Sequence, residues 1–153
     1  MKSTQQYLMQ KSIALAEAAM LKDEVPVGAI IVDSRNNKII SKAYNQVING
    51  CNPTAHAEIL AIQKACKRLK NNRLEFCDMF VTLEPCIMCA GAISFARIRR
   101  LYFAAYDHKS GAVESGVRFF YTQTCHHAPE IYGGILEEDS ASLLRNYFKS
   151  KRL

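Results

Sequence analysis

Nothing in this 153-residue chain is suited to a membrane: no apolar run approaches the ~20 residues that a span needs. Met1 to Tyr7 lack the apolar core and small-residue cleavage site of an export signal. Internal repeats, low-complexity stretches and linker-like segments are also missing. These absences predict one cytoplasmic domain over residues 1–153. Acid is scarce where base is dense, with 14 acidic residues against 20 basic ones and a formal net charge of +6. Lys64, Lys67, Arg68, Lys70 and Arg73 run without an acid between them. Arg97, Arg99 and Arg100 form a second cluster, and Arg145, Lys149, Lys151 and Arg152 a third. Any one of these reads as a solvated helix face. Three of them with the net charge favour a polyanionic partner such as nucleic acid.

What is present describes an ordinary globular protein, 49% hydrophobic and 22% charged, large enough to bury a core. The 6 cysteines do not read as a disulfide framework, because two of them form Cys86-x-x-Cys89 after a proline, a metal-binding spacing. Cys66 falls on the apolar stripe of a predicted helix; Cys51, Cys77 and Cys125 have no role that the pattern assigns.

Residues 4–21 carry helical periodicity through Leu8, Ser12, Leu15 and Ala19, with Ser3 or Thr4 placed to cap the start. Residues 25–32 read as a buried strand, and Asp33 to Lys38 is turn chemistry leading to a second strand over 39–45, a hairpin. Gly28 marks a place where another segment comes close to the backbone. A helix follows, with Thr54 as its cap and Ile59, Ile62, Cys66 and Leu69 as its apolar side. Residues 79–83 form a strand, Pro85 opens the next helix, and residues 99–104 form another strand. Residues 112–128 are a short helix and a loop, 130–135 a last strand, and 137–150 a last helix with Leu143, Leu144, Tyr147 and Phe148 on its apolar side. Strands alternating with helices after a hairpin predict an α/β fold, a mixed sheet of about five strands between two helical layers.

The chemistry gathers in two segments. Pro53-Thr54-Ala55-His56-Ala57-Glu58 and Glu84-Pro85-Cys86-Ile87-Met88-Cys89 together read H-x-E…P-C-x-x-C, the general signature of zinc-dependent nucleobase deaminases. His56, Cys86 and Cys89 make a Cys₂His ligand set, one short of the four that close a structural zinc site. A fourth position taken by water lets zinc lower that water's pKa to about 7. Glu58 is then free to take the water's proton, pass it to a ring nitrogen and protonate departing ammonia. On a regular helix His56 and Glu58, two residues apart, would face nearly opposite ways, so His56 must sit in an irregular first turn. Taken singly, a histidine, a C-x-x-C and a glutamate are each commonplace. Jointly they are rare.

Beyond the motif, the chain resembles the bacterial tRNA-specific adenosine deaminase family of the cytidine deaminase-like fold. The resemblance rests on Val25-Pro26-Val27-Gly28-Ala29, Asn52 to Glu58, Leu83 to Ala92, Asp107-His108-Lys109-Ser110-Gly111-Ala112 and Leu143 to Lys149. It implies a three-layer α/β/α fold and one zinc ion per subunit. It implies deamination of the wobble adenosine to inosine in the anticodon stem-loop of an arginine tRNA, by a homodimer. By the same resemblance Asn45 hydrogen-bonds the flipped nucleoside, Asp107 and Lys109 lie near flanking nucleotides, and Phe148 and Lys149 contact the RNA loop. Phe148 reads equally as core packing of the last helix. Asn52, Tyr106, His108 and His126 depart from the residues usual in the family.

Two other readings stand beside this one. A free-base or nucleoside deaminase, of guanine or cytosine type, would use the same zinc set without RNA. A non-catalytic RNA-binding subunit would hold a closed zinc site, with Cys51, His126 or His127 as the fourth ligand.

Overall fold

The computed structural model describes residues 1–152. Helix α1 (Thr4–Leu21) leads to strands β1 (Gly28–Asp33) and β2 (Lys38–Tyr44), helix α2 (Ala57–Leu69) and strand β3 (Cys77–Leu83). Helix α3 (Ile87–Ala96), strand β4 (Arg100–Ala105), a 3₁₀ turn at Phe119–Tyr121, strand β5 (Glu130–Gly133) and helix α4 (Glu137–Lys151) complete the chain. The sheet order is β2-β1-β3-β4-β5. β1 is antiparallel to β2 and β3, whereas β3, β4 and β5 run parallel. The mixed five-stranded sheet and two helical layers are those the sequence pattern predicts.

Period-2 alternation explains the layering, since successive side chains of a strand face opposite sides. Ala29 and Ile31, Met79 and Val81, and Leu101 and Phe103 join one buried cluster with Ala57, Ala61 and Ala65 of α2 and Ala90, Ile93 and Ala96 of α3. Ile30 and Val32, Phe80, and Tyr102 and Ala104 join the other, beneath Leu8, Met9 and Ile13 of α1 and Leu143 of α4. The close approach marked by Gly28 is that of α1: a Cβ there would lie 2.2 Å from the Ser12 carbonyl oxygen. Ser3 caps α1 by accepting the Gln6 N–H, and the Gln6 side chain accepts the Ser3 N–H in return.

Four details differ from the sequence reading. β1 starts at Gly28 and not at Val25, because Pro26 has no N–H for the ladder. The buried side of α2 is Ala57, Glu58, Ala61 and Ala65. Ile62 and Cys66 are only partly buried, and Leu69 is exposed. Lys64 and Arg68, read with their neighbours as a polyanion cluster, are spent on the sheet. Lys64 Nζ donates to the Lys42 carbonyl at 3.0 Å, and Arg68 donates to that of Ile40 at 2.9 Å. They cover carbonyls of β2, an edge strand that would otherwise be open to pairing. Lastly, β5 ends at Gly133 and not at 135, because Gly134 turns the chain at φ +85°, whereas residues 112–128 hold one short 3₁₀ helix and a loop, as read. No helix among the described residues is long and apolar enough to cross a membrane.

The topology leaves a crevice beyond the carboxyl ends of the parallel strands β3 and β4, at Leu83 and Ala105, the usual place for a ligand in an open α/β sheet. The starts of α2 and α3 both face it.

Candidate active site

Two helix N-termini supply the chemistry. His56 is the N-cap of α2, extended at φ −71° and ψ 151°, and Cys86 is the N-cap of α3 at φ −73° and ψ 176°. N-cap side chains ordinarily accept a backbone N–H, and neither of these does. Both are turned to each other instead. The expectation that His56 lies outside the regular helix holds. The N-cap of α2 is His56 and not Thr54, whose N–H and hydroxyl both go to Asn52 Oδ1. Pro85 lies just ahead of α3 and not within its first turn; its carbonyl accepts the Ala112 N–H at 2.9 Å. Cys89, one turn into α3, points back toward the N-terminus as helical side chains do.

His56 Nδ1 lies 3.7 Å from Cys86 Sγ and 3.6 Å from Cys89 Sγ, and the three ligand atoms all fall within 4.8 Å of one another. Tetrahedral zinc with Zn–S of about 2.3 Å and Zn–N of about 2.05 Å sets sulfur and nitrogen about 3.6 Å apart. The donor set and its spacing therefore fit zinc. Among the described residues no fourth His, Cys, Asp or Glu joins the group. Cys125 instead donates to the His127 carbonyl, His127 Nε2 lies 2.9 Å from the Ile98 carbonyl, and His126 lines a separate cleft beside Phe95. A closed site with a fourth protein ligand thus finds no support.

The site's electrostatics follow from burial and mutual contact. The Cys89 thiol, then His56, hold the Cys86 thiol down at about 4, so Cys86 is a thiolate at neutral pH. Donation to Cys86, then burial, pushes the Cys89 thiol up, so that proton must leave when a metal binds. Contact with Cys86 raises the His56 imidazole. Glu58 sits in the first turn of α2, 4% exposed, and burial pushes its carboxyl up to about 7. That value suits a group that must both accept and return a proton near neutrality.

His56, Glu58 and Cys86 form the floor of a cleft of about 440 Å³, within the range of small-molecule sites, and Cys89 lies fully buried beneath them. Asn45, at the end of β2, is buried in its wall. Its Oδ1 accepts the Ala57 N–H at 2.8 Å, so it caps α2 from outside and leaves its Nδ2 as the donor for a ligand. Val25, Val27, Ile48 and Leu83 give the walls an apolar surface. Asp107, Ser110 and Phe148 stand at the rim. Phe148 is 45% exposed, so it is a surface side chain and not core packing. Lys109 lines an adjoining cleft with Tyr106 and His108. Lys149 is exposed and lines neither of these two clefts.

Two buried carboxylates that also line the cleft were not singled out from sequence. Glu24, 1% exposed, accepts the Ile48 and Asn49 N–H groups and the Asn49 side-chain amide. Glu84, 2% exposed, accepts N–H groups from the loop that carries Asp107. Burial alone would raise both carboxyls; the bonds from Asn49 and Ile48 to Glu24, and from Asp107, Glu114 and Ser115 to Glu84, outweigh it and lower both. The only sequence signal was position: each acid stands within two residues of a proline at the edge of a family-like block.

Comparison with known proteins adds the following. The cytidine and deoxycytidylate deaminase zinc-binding region matches residues 2–105. The tRNA-specific adenosine deaminase of Agrobacterium fabrum is 51% identical over 147 residues, covering 96% of this chain and 95% of its own. A structure solved in biochemical and structural studies of A-to-I editing by tRNA:A34 deaminases at the wobble position superposes with a TM-score of 0.87. It is 51% identical, and the match covers 90% of this chain and 99% of that one. A guanine deaminase from Nitrosomonas europaea superposes with a TM-score of 0.78 at 24% identity, over 96% of this chain and 85% of its own, a likeness of fold alone.

Proposed function

The chain belongs to the tRNA-specific adenosine deaminases, within the zinc-binding cytidine and deoxycytidylate deaminases, and from that premise we propose that it converts the wobble adenosine of an arginine tRNA to inosine. The observation that carries this reading is the Cys₂His edge on the cleft floor, with the buried Glu58 carboxyl poised at about 7 beside it.

His56, Cys86 and Cys89 hold one zinc ion per subunit. Zinc, when bound, supplies Lewis acidity that lowers the pKa of a water from ~15.7 to about 7. Glu58 takes one proton from the attacking water and delivers it to the ring nitrogen beside the amine-bearing carbon; it then takes the second from the hydroxyl now on that carbon and gives it to the amino group, which leaves as ammonia as the carbonyl forms. One carboxylate thus serves first as base and then as acid. The N-terminal ends of α2 and α3 place partial positive charge behind the thiolates and the carboxylate. Asn45 Nδ2 donates to the flipped nucleoside while its Oδ1 keeps the start of α2 in place. Val25, Val27, Ile48 and Leu83 pack the faces of the base and keep bulk water from the carbon under attack. Phe148 closes over the mouth by stacking, a contact open to any base. Asp107, Lys109 and Lys149 meet the flanking nucleotides and phosphates. An anticodon loop suits this cleft because its bases are extruded at less cost than paired ones. The exposed Ile87 and Phe95 on α3 support packing of a second copy into a homodimer. A tRNA substrate supports a cytoplasmic location.

The test is inosine formation by zinc-loaded protein on an arginine tRNA with adenosine at the wobble position. Free adenosine, cytidine, cytosine and guanine run beside it, with ammonia release read throughout. Inosine at that position, lost when the base is changed to guanosine, is the expected result. Ammonia from a free base or nucleoside, with none from tRNA, overturns the proposal.

A further inference from the structure

Glu84 is the most heavily bonded side chain in the protein's described part, and none of its partners belongs to the metal set. Its Oε1 accepts the Asp107 N–H at 3.0 Å and the Ser115 hydroxyl at 2.9 Å. Its Oε2 accepts the N–H groups of Val113, Glu114 and Ser115 at 3.1, 2.8 and 2.9 Å. A carboxylate offers about four lone-pair sites, so this one is saturated. All five donors come from one irregular segment, residues 107–115. The fit is close enough to dictate a neighbour: a Cβ on Gly111 would lie 2.6 Å from the Glu84 carboxyl carbon and 2.4 Å from the Asp107 carbonyl oxygen.

The segment so held is the one that reaches the rim. Asp107 and Ser110 line the catalytic cleft, and His108 and Lys109 line the cleft that adjoins it. The Asp107 carboxylate in turn accepts the Lys109 and Ser110 N–H groups, so the order passes from Glu84 to the residues that face the ligand. Glu84 also stands two residues ahead of Cys86, where β3 gives way to α3. One side chain therefore ties the backbone that delivers a zinc ligand to the backbone that delivers the substrate-facing loop. A loop without such a tie would have to be ordered by each substrate at a cost to affinity.

We propose that Glu84 is a positioning residue for RNA binding: its carboxylate holds the 107–115 loop in its binding shape before substrate arrives and takes no part in the proton transfers. This rests on the tRNA reading above for its substrate, though not for the loop itself. Glu84→Gln is the direct probe. The amide oxygen can still accept from Asp107 and Ser115 Oγ, but its NH₂ meets the three N–H groups of 113–115 donor to donor.

Two readouts separate the possibilities. In zinc-loaded wild type, hydrogen exchange should be slow at the amides of Asp107, Val113, Glu114 and Ser115, and Glu84→Gln should open them. With tRNA, Glu84→Gln should raise KM about tenfold while the single-turnover rate at saturation and the zinc content stay within about twofold of wild type. Glu84→Asp, which keeps the carboxylate, should fall between the two. Should Glu84→Gln fail to fold or lose zinc, Ser115→Ala decides, since it removes the hydroxyl donated to Glu84 Oε1 and leaves the carboxylate and the loop backbone in place. Slow amide exchange with wild-type KM in both variants overturns the proposal. So does an opened loop with unchanged KM, or a fall in the saturated rate at unchanged KM, which would put Glu84 with the chemistry. If wild type forms no inosine on tRNA, the functional reading fails while the exchange experiment still decides whether Glu84 holds the loop.

Discussion

The floor and the rim of the cleft are built in different ways. The floor is two helix starts, with His56 and Glu58 in one motif and Cys86 and Cys89 one helical turn apart in another. The two helices pack on one face of the sheet through Ala57, Ala61, Ala90 and Ile93, all fully buried. The rim is assembled from separate stretches: the run after α1, the segment after β2, the loop after β4 and the last turn of α4. Its loops are fastened by two buried acids, Glu24 and Glu84. A helix start presents backbone N–H groups and fixed side-chain directions without help from elsewhere. A rim loop has neither, and a buried carboxylate supplies its order from outside. On the proposed function this is a division of labour: the floor would do chemistry that any flipped amino-base would meet, and the rim would decide which nucleic acid brings the base there.

Variants can break or sharpen that division. The largest effect is expected at the metal edge. Cys86→Ala removes a ligand from a set that has none to spare, so zinc content, measured by metal analysis, should fall to near zero with deaminase activity. A variant that kept both would move the chemistry off this floor. A smaller and different effect is expected at the rim. Phe148→Ala should weaken tRNA affinity about tenfold through lost stacking, with the saturated single-turnover rate and zinc content unchanged. A fall in the saturated rate there would erase the distinction. The smallest effect concerns the fastening of the rim. The Glu24 carboxyl is held below its ordinary value of 4.5, so it stays ionised in the fold after it would protonate in the unfolded chain. Its stabilisation is complete above about pH 4.5 and is lost as pH falls through the lower folded value. Urea unfolding of wild type and Glu24→Gln should therefore differ at pH 7, and the gap should shrink as pH falls from 4.5 through the lower folded value. An equal gap throughout would assign the loss to packing and not to charge.

The floor was legible in the sequence because each of its parts is local. The three-residue step from Cys86 to Cys89 fixes a shared face, and H-x-E forces His56 out of the regular helix, as found. The sheet was legible because strands buried on both faces leave short apolar runs between turn residues. The buried side of α2 was misread because alanine carries little hydrophobic signal, yet Ala57, Ala61 and Ala65 are what lets α2 lie close to the sheet. Ile59 and Leu69 looked like core for the opposite reason. The basic run after α2's midpoint read as free charge, because nothing local says that Lys64 and Arg68 reach carbonyls of β2. Glu24 and Glu84 were invisible as fasteners since their partners lie more than twenty residues away. Phe148 could be placed only once α4 was seen to bring its last turn to the cleft.

The central claim is that the floor performs the reaction without holding the RNA, and Glu58→Ala tests it most directly. With zinc loaded, the variant's inosine formation on the arginine tRNA should drop by about 10²–10⁴ while its zinc content and tRNA affinity stay at wild-type values. Near-normal deamination, or RNA binding lost in step with activity, would contradict it.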